Sequence, residues 1–230
     1  CLASRKDFRN AVVVARKSQP SWAAVTALNK GQILYRIAEM LEGRKEQSSA
    51  ELMAQGATKK AAQEEVELAI DRLVYYAGWS DKYQQFFSTV NPVSSAHFNF
   101  STLEPMGVVA IISPEEQSLL GLVSMLAPAI VGGNTVIMVA SESMPLTAIS
   151  FAEVLNSSDV PGGRPYPWLI FRTMEALNVC PPEAVINVGD TKVLVTVFSP
   201  NKRVSSDFIA KNIDSVLNAQ KEYERNKERY

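Results

Sequence analysis

The sequence predicts an α/β fold built on a parallel sheet with helices, and three observations carry that prediction. Met106–Ile112 and Thr135–Val139 are continuous apolar runs of strand length, as expected for strands covered on both faces. Ser118 to Val131 lies between them and reads as a helix, closed by the turn Gly132-Gly133-Asn134. Pro145 then opens another helix to about Asn156, a position that suits proline. Strand, helix, strand, helix is the grammar of a parallel sheet with right-handed crossovers.

Taken in order, Ser4 and Asp7 form a capping pair for a helix over Asp7 to Lys17, which Pro20 is expected to end. A second helix is expected from about Lys30 to Glu42, with Ile33, Ile37 and Met40 or Leu41 on one face and Gly43 as C-cap. A third covers Ala61 to Gln85. Val66, Ile70, Leu73 and Ala77 recur at helical spacing there, and Glu64, Glu67 and Asp71 fall off that face. Phe98 and Phe100 alternate with His97 and Asn99, which predicts a half-buried strand. Beyond the central segment, Pro167 to Asn178 is expected to be helical, Ala184 to Val188 a strand, Lys192 to Phe198 a further strand, and Ser205 to about Arg229 a helix.

Bulk properties exclude several classes of function. The chain has 230 residues, 47% of them apolar and 20% charged, which is ordinary globular composition. A net charge of −1 supplies no basic footprint, so no nucleic-acid partner is expected. No apolar run is long enough to span a bilayer, and no signal-peptide order is present, so no membrane partner is expected. Two cysteines, Cys1 and Cys180, give no disulfide framework and point to a reducing, cytoplasmic setting. The start at Cys1 rather than Met suggests a fragment or an incomplete gene model.

The segments Glu104–Pro114, Leu126–Val136, Ser141-Glu142 and Pro145-Leu146-Thr147 resemble the NAD-binding domain of the aldehyde dehydrogenase superfamily. The resemblance runs over about residues 6–163. It implies an incomplete Rossmann-like layer of the aldehyde dehydrogenase type and NAD as cofactor. It also implies NAD-dependent oxidation of an aldehyde to an acid, which requires a cysteine nucleophile, an asparagine amide facing the oxyanion and a glutamate base. Carried over residue by residue, it implies cofactor contacts at Ser113, Pro114, Ser141 and Glu142, with Glu142 accepting ribose hydroxyls. The chain departs from the pattern at the catalytic positions. The family's Pro-Trp-Asn reads Pro114-Glu115-Glu116 here, and the lysine before the Ser-Glu pair is Val139. No residue is assigned as nucleophile or base, so this chain is expected not to catalyse the reaction. In that family, strands near Phe98 to Glu104 form an oligomerisation arm. The resemblance therefore implies an exposed sheet edge that pairs with a second copy or a partner chain.

A second resemblance covers about residues 159–217. Asp159–Trp168, Met174–Val179, Pro182–Val185 and Val188–Thr191 resemble phosphonoacetaldehyde hydrolase, of haloacid-dehalogenase type. It implies that Arg164 neutralises a phosphonyl group and that Asp190 supports Mg²⁺, which wants several oxygen ligands. The second acidic residue of that pattern is Leu194 here, and the Asp-X-Asp nucleophile motif is absent.

Other candidates have plainer readings. His97 reads as a surface or packing histidine and Cys180 as structural. Glu115 and Glu116 read as a solvated loop at a helix N-terminus, where carboxylates are favoured. The expected organisation is residues 1–160 as a partial NAD-binding domain and residues 161–230 as a C-terminal αβ(β)α segment. Two alternatives stand beside the aldehyde dehydrogenase reading: a Mg²⁺-dependent hydrolase of the C–P bond, and a non-catalytic interaction protein or fusion product.

Overall fold

A computed structural model describes residues 5–141, 143–158, 168–171, 184–188 and 191–197. The N-terminal part is helical: α1 (Arg5–Ala23), α2 (Ala27–Glu42), α3 (Lys45–Ala54), α4 (Lys59–Trp79) and α5 (Tyr83–Phe87). A short hairpin follows, β1 (Thr89–Asn91) and β2 (Asn99–Ser101). The alternating unit is β3 (Val108–Ile112), α6 (Ser118–Val131), β4 (Thr135–Val139) and α7 (Leu146–Ser157). The remaining described strands are β5 (Trp168–Phe171), β6 (Ala184–Val188) and β7 (Thr191–Val197).

These strands form a five-stranded sheet in the order β5-β4-β3-β7-β6 and a separate pair, β1-β2. In the larger sheet β3 runs parallel to both β4 and β7, β4 runs parallel to β5, and β6 is antiparallel to β7. Period-two alternation sorts the side chains of the central strands. Val109, Ile111, Val136 and Met138 enter a large cluster with Leu122, Leu126 and Ile130 of α6 and with Leu34, Ile37, Val66 and Leu73 of α2 and α4. Val108, Ala110 and Ile137 are equally buried but point the other way, toward the face that α1 covers with Phe8, Ala11, Val12 and Ala15. Covering on both faces is why these strands read as unbroken apolar runs.

Several expectations are corrected. Pro20 lies inside α1 rather than ending it. The buried stripe Phe8, Ala11, Ala15, Ser18, Trp22 continues through it, and Trp22 Nε1 donates to Ile130 O at 3.0 Å, so tertiary contacts outweigh the lost helical bond. The second helix begins earlier, at Ala27, because Thr26 Oγ1 caps the Asn29 N–H. The long third helix stops at Trp79 and a separate short α5 follows. Helix α3 was not anticipated. It buries only Ser48, Ser49 and Leu52, which is too weak a stripe to announce itself. The strand expected at Phe98 and Phe100 is shorter, with Phe98 just before β2, and is not half-buried: the two rings are 74% and 58% exposed. Trp168–Phe171 is a strand in register with β4, where a helix was expected; the rest of that expected helix, and the helix expected over 205–229, lie outside the described residues.

Candidate functional site

In an open α/β sheet, ligands bind beyond the carboxyl ends of the strands, where successive strands diverge to opposite sides. Here β4 and β5 lie to one side of β3 while β7 lies to the other, so the divergence is at β3. Because β3 and β4 are parallel, Ser113 and Pro114 after β3 emerge on the same edge as Ser141 after β4. Three of the sequence-assigned cofactor contacts are thus brought together. Glu142, the fourth, lies outside the described residues, as do Arg164 and Asp190.

Ser113 is buried, and both its polar groups have structural work. Its N–H extends the sheet by donating to Val139 O at 2.8 Å, and its Oγ donates to Ser118 O at 3.0 Å. Ser118 Oγ in turn meets Thr147 Oγ1 at 3.2 Å, which locks the start of α6 to α7. Ser113 therefore shapes the turn, and its hydroxyl proton is committed to the protein's own backbone. Gln117, just before α6, has φ 54°, in the left-handed region that non-glycine residues rarely occupy.

The exposed side of the edge is organised by Glu115. Its Oε2 accepts from Ser141 Oγ at 2.8 Å, from Ser143 Oγ at 2.5 Å and from the Ser143 N–H at 3.0 Å. Ser141 Oγ also accepts from the Met144 N–H at 3.0 Å. Glu115 thus bridges the loops after β3 and β4, which corrects its assignment as a merely solvated residue. Sequence reasoning missed both Glu115 and Ser143; the available signal was a carboxylate directly after the strand-terminal proline, facing a serine-rich turn.

The N-terminus of α6 is already occupied. Glu65 of α4 is buried, and its Oε1 accepts the N–H groups of Leu119 at 3.0 Å and Leu120 at 3.2 Å. Burial pushes this carboxyl above its ordinary range, and the two N–H groups pull it partly back. A nucleotide's phosphates would ordinarily seek such a helix end. Here those two donors serve the protein's own glutamate.

At the opposite edge of the sheet, Tyr76, Trp79, Tyr83, Leu103, Pro128 and Val131 line a cavity of about 360 Å³. Its lining is aromatic and aliphatic, without a charged side chain, and it is remote from the strand carboxyl ends. His97, whose Nδ1 lies 3.0 Å from Ser95 Oγ, is exposed near the hairpin. Among the described residues no three His, Cys, Asp or Glu side chains group to hold a metal ion, and no helix is long and apolar enough to cross a membrane.

Residues 2–164 match the family model for the aldehyde dehydrogenase family. An aldehyde dehydrogenase of Aspergillus niger is 34% identical over 164 residues, covering 70% of this chain and 32% of that protein. Cytosolic 10-formyltetrahydrofolate dehydrogenase of Xenopus tropicalis is 33% identical over 170 residues, covering 70% of this chain and 18% of that protein. Among solved structures, an NAD-dependent benzaldehyde dehydrogenase from Corynebacterium glutamicum superposes with a TM-score of 0.67 at 28% identity, over 76% of this chain and 37% of that one. The chain spans about a third or less of the length of these curated relatives.

Proposed function

Because the chain belongs to the aldehyde dehydrogenase family, we propose that its share of the family's NAD-linked oxidoreduction is cofactor binding, and that it does not itself oxidise an aldehyde. The carboxyl edge suits the ribose end of NAD: a carboxylate fastened by the Ser141 and Ser143 hydroxyls lies beyond β4, and a carboxylate is the kind of acceptor that ribose hydroxyls take. Bound there, NAD would supply the hydride acceptor. What the chain's own residues do is orient the nucleotide against the ends of β3 and β4.

The observation that carries the second half is Glu116. It stands, exposed, where the family resemblance puts an oxyanion-facing asparagine amide. A carboxylate repels developing negative charge, whereas losing one donor alone typically costs about 3–4 kcal/mol of transition-state stabilisation. Titration calorimetry of the full chain with NAD, followed by an assay of reduced nucleotide with simple aldehydes, tests both halves. Saturable binding without NADH formation is expected. No heat at millimolar NAD overturns the binding site, and NADH formed in step with aldehyde consumption overturns the inactivity.

We further propose that the β1–β2 hairpin is an association surface for a second copy of the chain or a partner. Val90, Phe98 and Phe100 are 70%, 74% and 58% exposed on it, an apolar patch of the kind that marks interfaces.

A further inference from the structure

Tyr75, Tyr76, Trp79, Tyr83 and Phe87 place five aromatic rings around the cavity of about 360 Å³ that lies away from the strand carboxyl ends. The rings do not stack. Tyr75 and Tyr76 stand at 82° with centroids 5.2 Å apart, and Tyr75 and Trp79 at 53° and 6.2 Å. Rings at steep angles wall a space on more than one side, whereas a parallel stack spends its faces on itself. The face of each ring is the negative end of its quadrupole.

A second source of negative potential converges on the same cavity. Tyr76 and Trp79 belong to the last turn of α4, and Pro128 and Val131 to the last turn of α6. A helix C-terminus carries roughly half a negative charge and favours a cation beside it. Neither helix supplies a basic residue in its last turn. Among the described residues no charged side chain lines the cavity. Lys30, which approaches the turn after α6, donates to Ala23 O at 3.2 Å and is not part of the lining.

We propose that this cavity binds a small quaternary ammonium compound, its trimethylammonium group seated among the rings at the two helix ends. The lining selects a quaternary over a primary ammonium. A primary ammonium brings three N–H donors that need acceptors, and the cavity offers no carboxylate. A trimethylammonium has no N–H to satisfy. Its charge is spread over methyl groups, which gain from the ring faces and from burial alike. The volume suits one small molecule, so the ligand is a free compound. This site is separate from the carboxyl edge and does not depend on nucleotide binding there.

The test is titration calorimetry of the full chain at constant ionic strength, with choline and with the neutral alcohol in which a carbon atom replaces the choline nitrogen. The two probes share a shape and differ in charge. Choline should bind saturably and at least about tenfold more tightly than the neutral isostere. Trp79→Leu keeps an apolar wall but removes a ring. It should weaken choline about tenfold and leave the isostere within about threefold. Melting curves establish that the variant is folded. Should it not fold, Tyr75→Leu, at a ring 54% exposed, should shift the ratio in the same direction. Sedimentation with phosphatidylcholine vesicles separates a free ligand from a lipid headgroup, and the chain should stay in the supernatant. The inference is overturned if the isostere binds as tightly as choline, if neither binds, if the leucine variants leave the ratio unchanged, or if the chain pellets with the vesicles.

Discussion

The Glu65 carboxylate accepts the Leu119 N–H at 3.0 Å, 54 residues along the chain, and so caps a helix to which it does not belong. It thereby fixes the start of α6, and with it the turn that carries Ser113 to Gln117, onto α4.

Glu65→Ala should cost about 1–3 kcal/mol, the range for leaving buried donors unpaired. Glu65→Gln should cost less, because its amide oxygen still accepts both bonds. The pH dependence separates the two further. Burial raises the Glu65 carboxyl above its ordinary value of 4.5, so the folded state holds this proton more tightly than the unfolded chain does. Its favourable contribution is complete below the unfolded value and disappears as pH rises through the raised folded one. Glu65→Gln removes this term. Relative to wild type it should therefore look better at neutral pH than near pH 4.5 in denaturant titrations at both pH values.

Gly31 on α2 packs closely against the C-terminal end of α4. A Cβ there would lie 2.5 Å from Ser80 Oγ and 3.0 Å from Ala77 O. Gly31→Ala should destabilise by about 1–3 kcal/mol through overpacking, despite alanine's better helix propensity. Adding Ser80→Ala removes the nearer contact but leaves the backbone carbonyl. The double variant should recover part of the loss, and a coupling near zero in a double-mutant cycle would contradict the crossing geometry.

The central unit was legible because its signals were redundant. Helix α6 and strand β4 have the bounds their sequence implies, since the helix is closed by Gly132 and Gly133 and the strand is buried on both faces. Trp168–Phe171 was misread because four apolar residues have no period of their own, and only pairing with β4 decides that they extend. At the carboxyl edge, the motif positions placed Ser113, Pro114 and Ser141 together. The two glutamates that organise it, Glu65 and Glu115, act across 54 and 26 residues, and no local pattern encodes such a bond.

Pro20 should be a liability that the fold tolerates. It is exposed and sits within α1, where a proline has no N–H to donate and its ring crowds the preceding turn. Pro20→Ala should therefore stabilise the chain, by an amount below the ~3 kcal/mol that separates the two residues in helix interiors. A rise in the denaturation midpoint without a change in its slope would bear this out. A fall would mean that the proline sets the angle at which Trp22 reaches Ile130 O.

The β1–β2 hairpin gives the last prediction. Its backbone is paired, with Thr89, Val90 and Asn91 opposite Ser101, Phe100 and Asn99, and Asn91 Nδ2 bridges Asn99 Oδ1 and Ser101 Oγ, each at 3.0 Å. The polar face is thus satisfied within the hairpin, while Phe98 and Phe100, with ring centroids 5.4 Å apart, turn their faces outward. Such rings gain from burial only against another molecule. The chain should therefore self-associate, with light scattering giving a mass above its 25.3 kDa. Replacing Phe98 and Phe100 by serine should return it to a monomer. Because the rings are exposed, this should change the melting behaviour by no more than surface substitutions usually do, about ±0.5 kcal/mol. A wild-type chain that stays monomeric as its concentration rises would rule out the hairpin as a contact between copies.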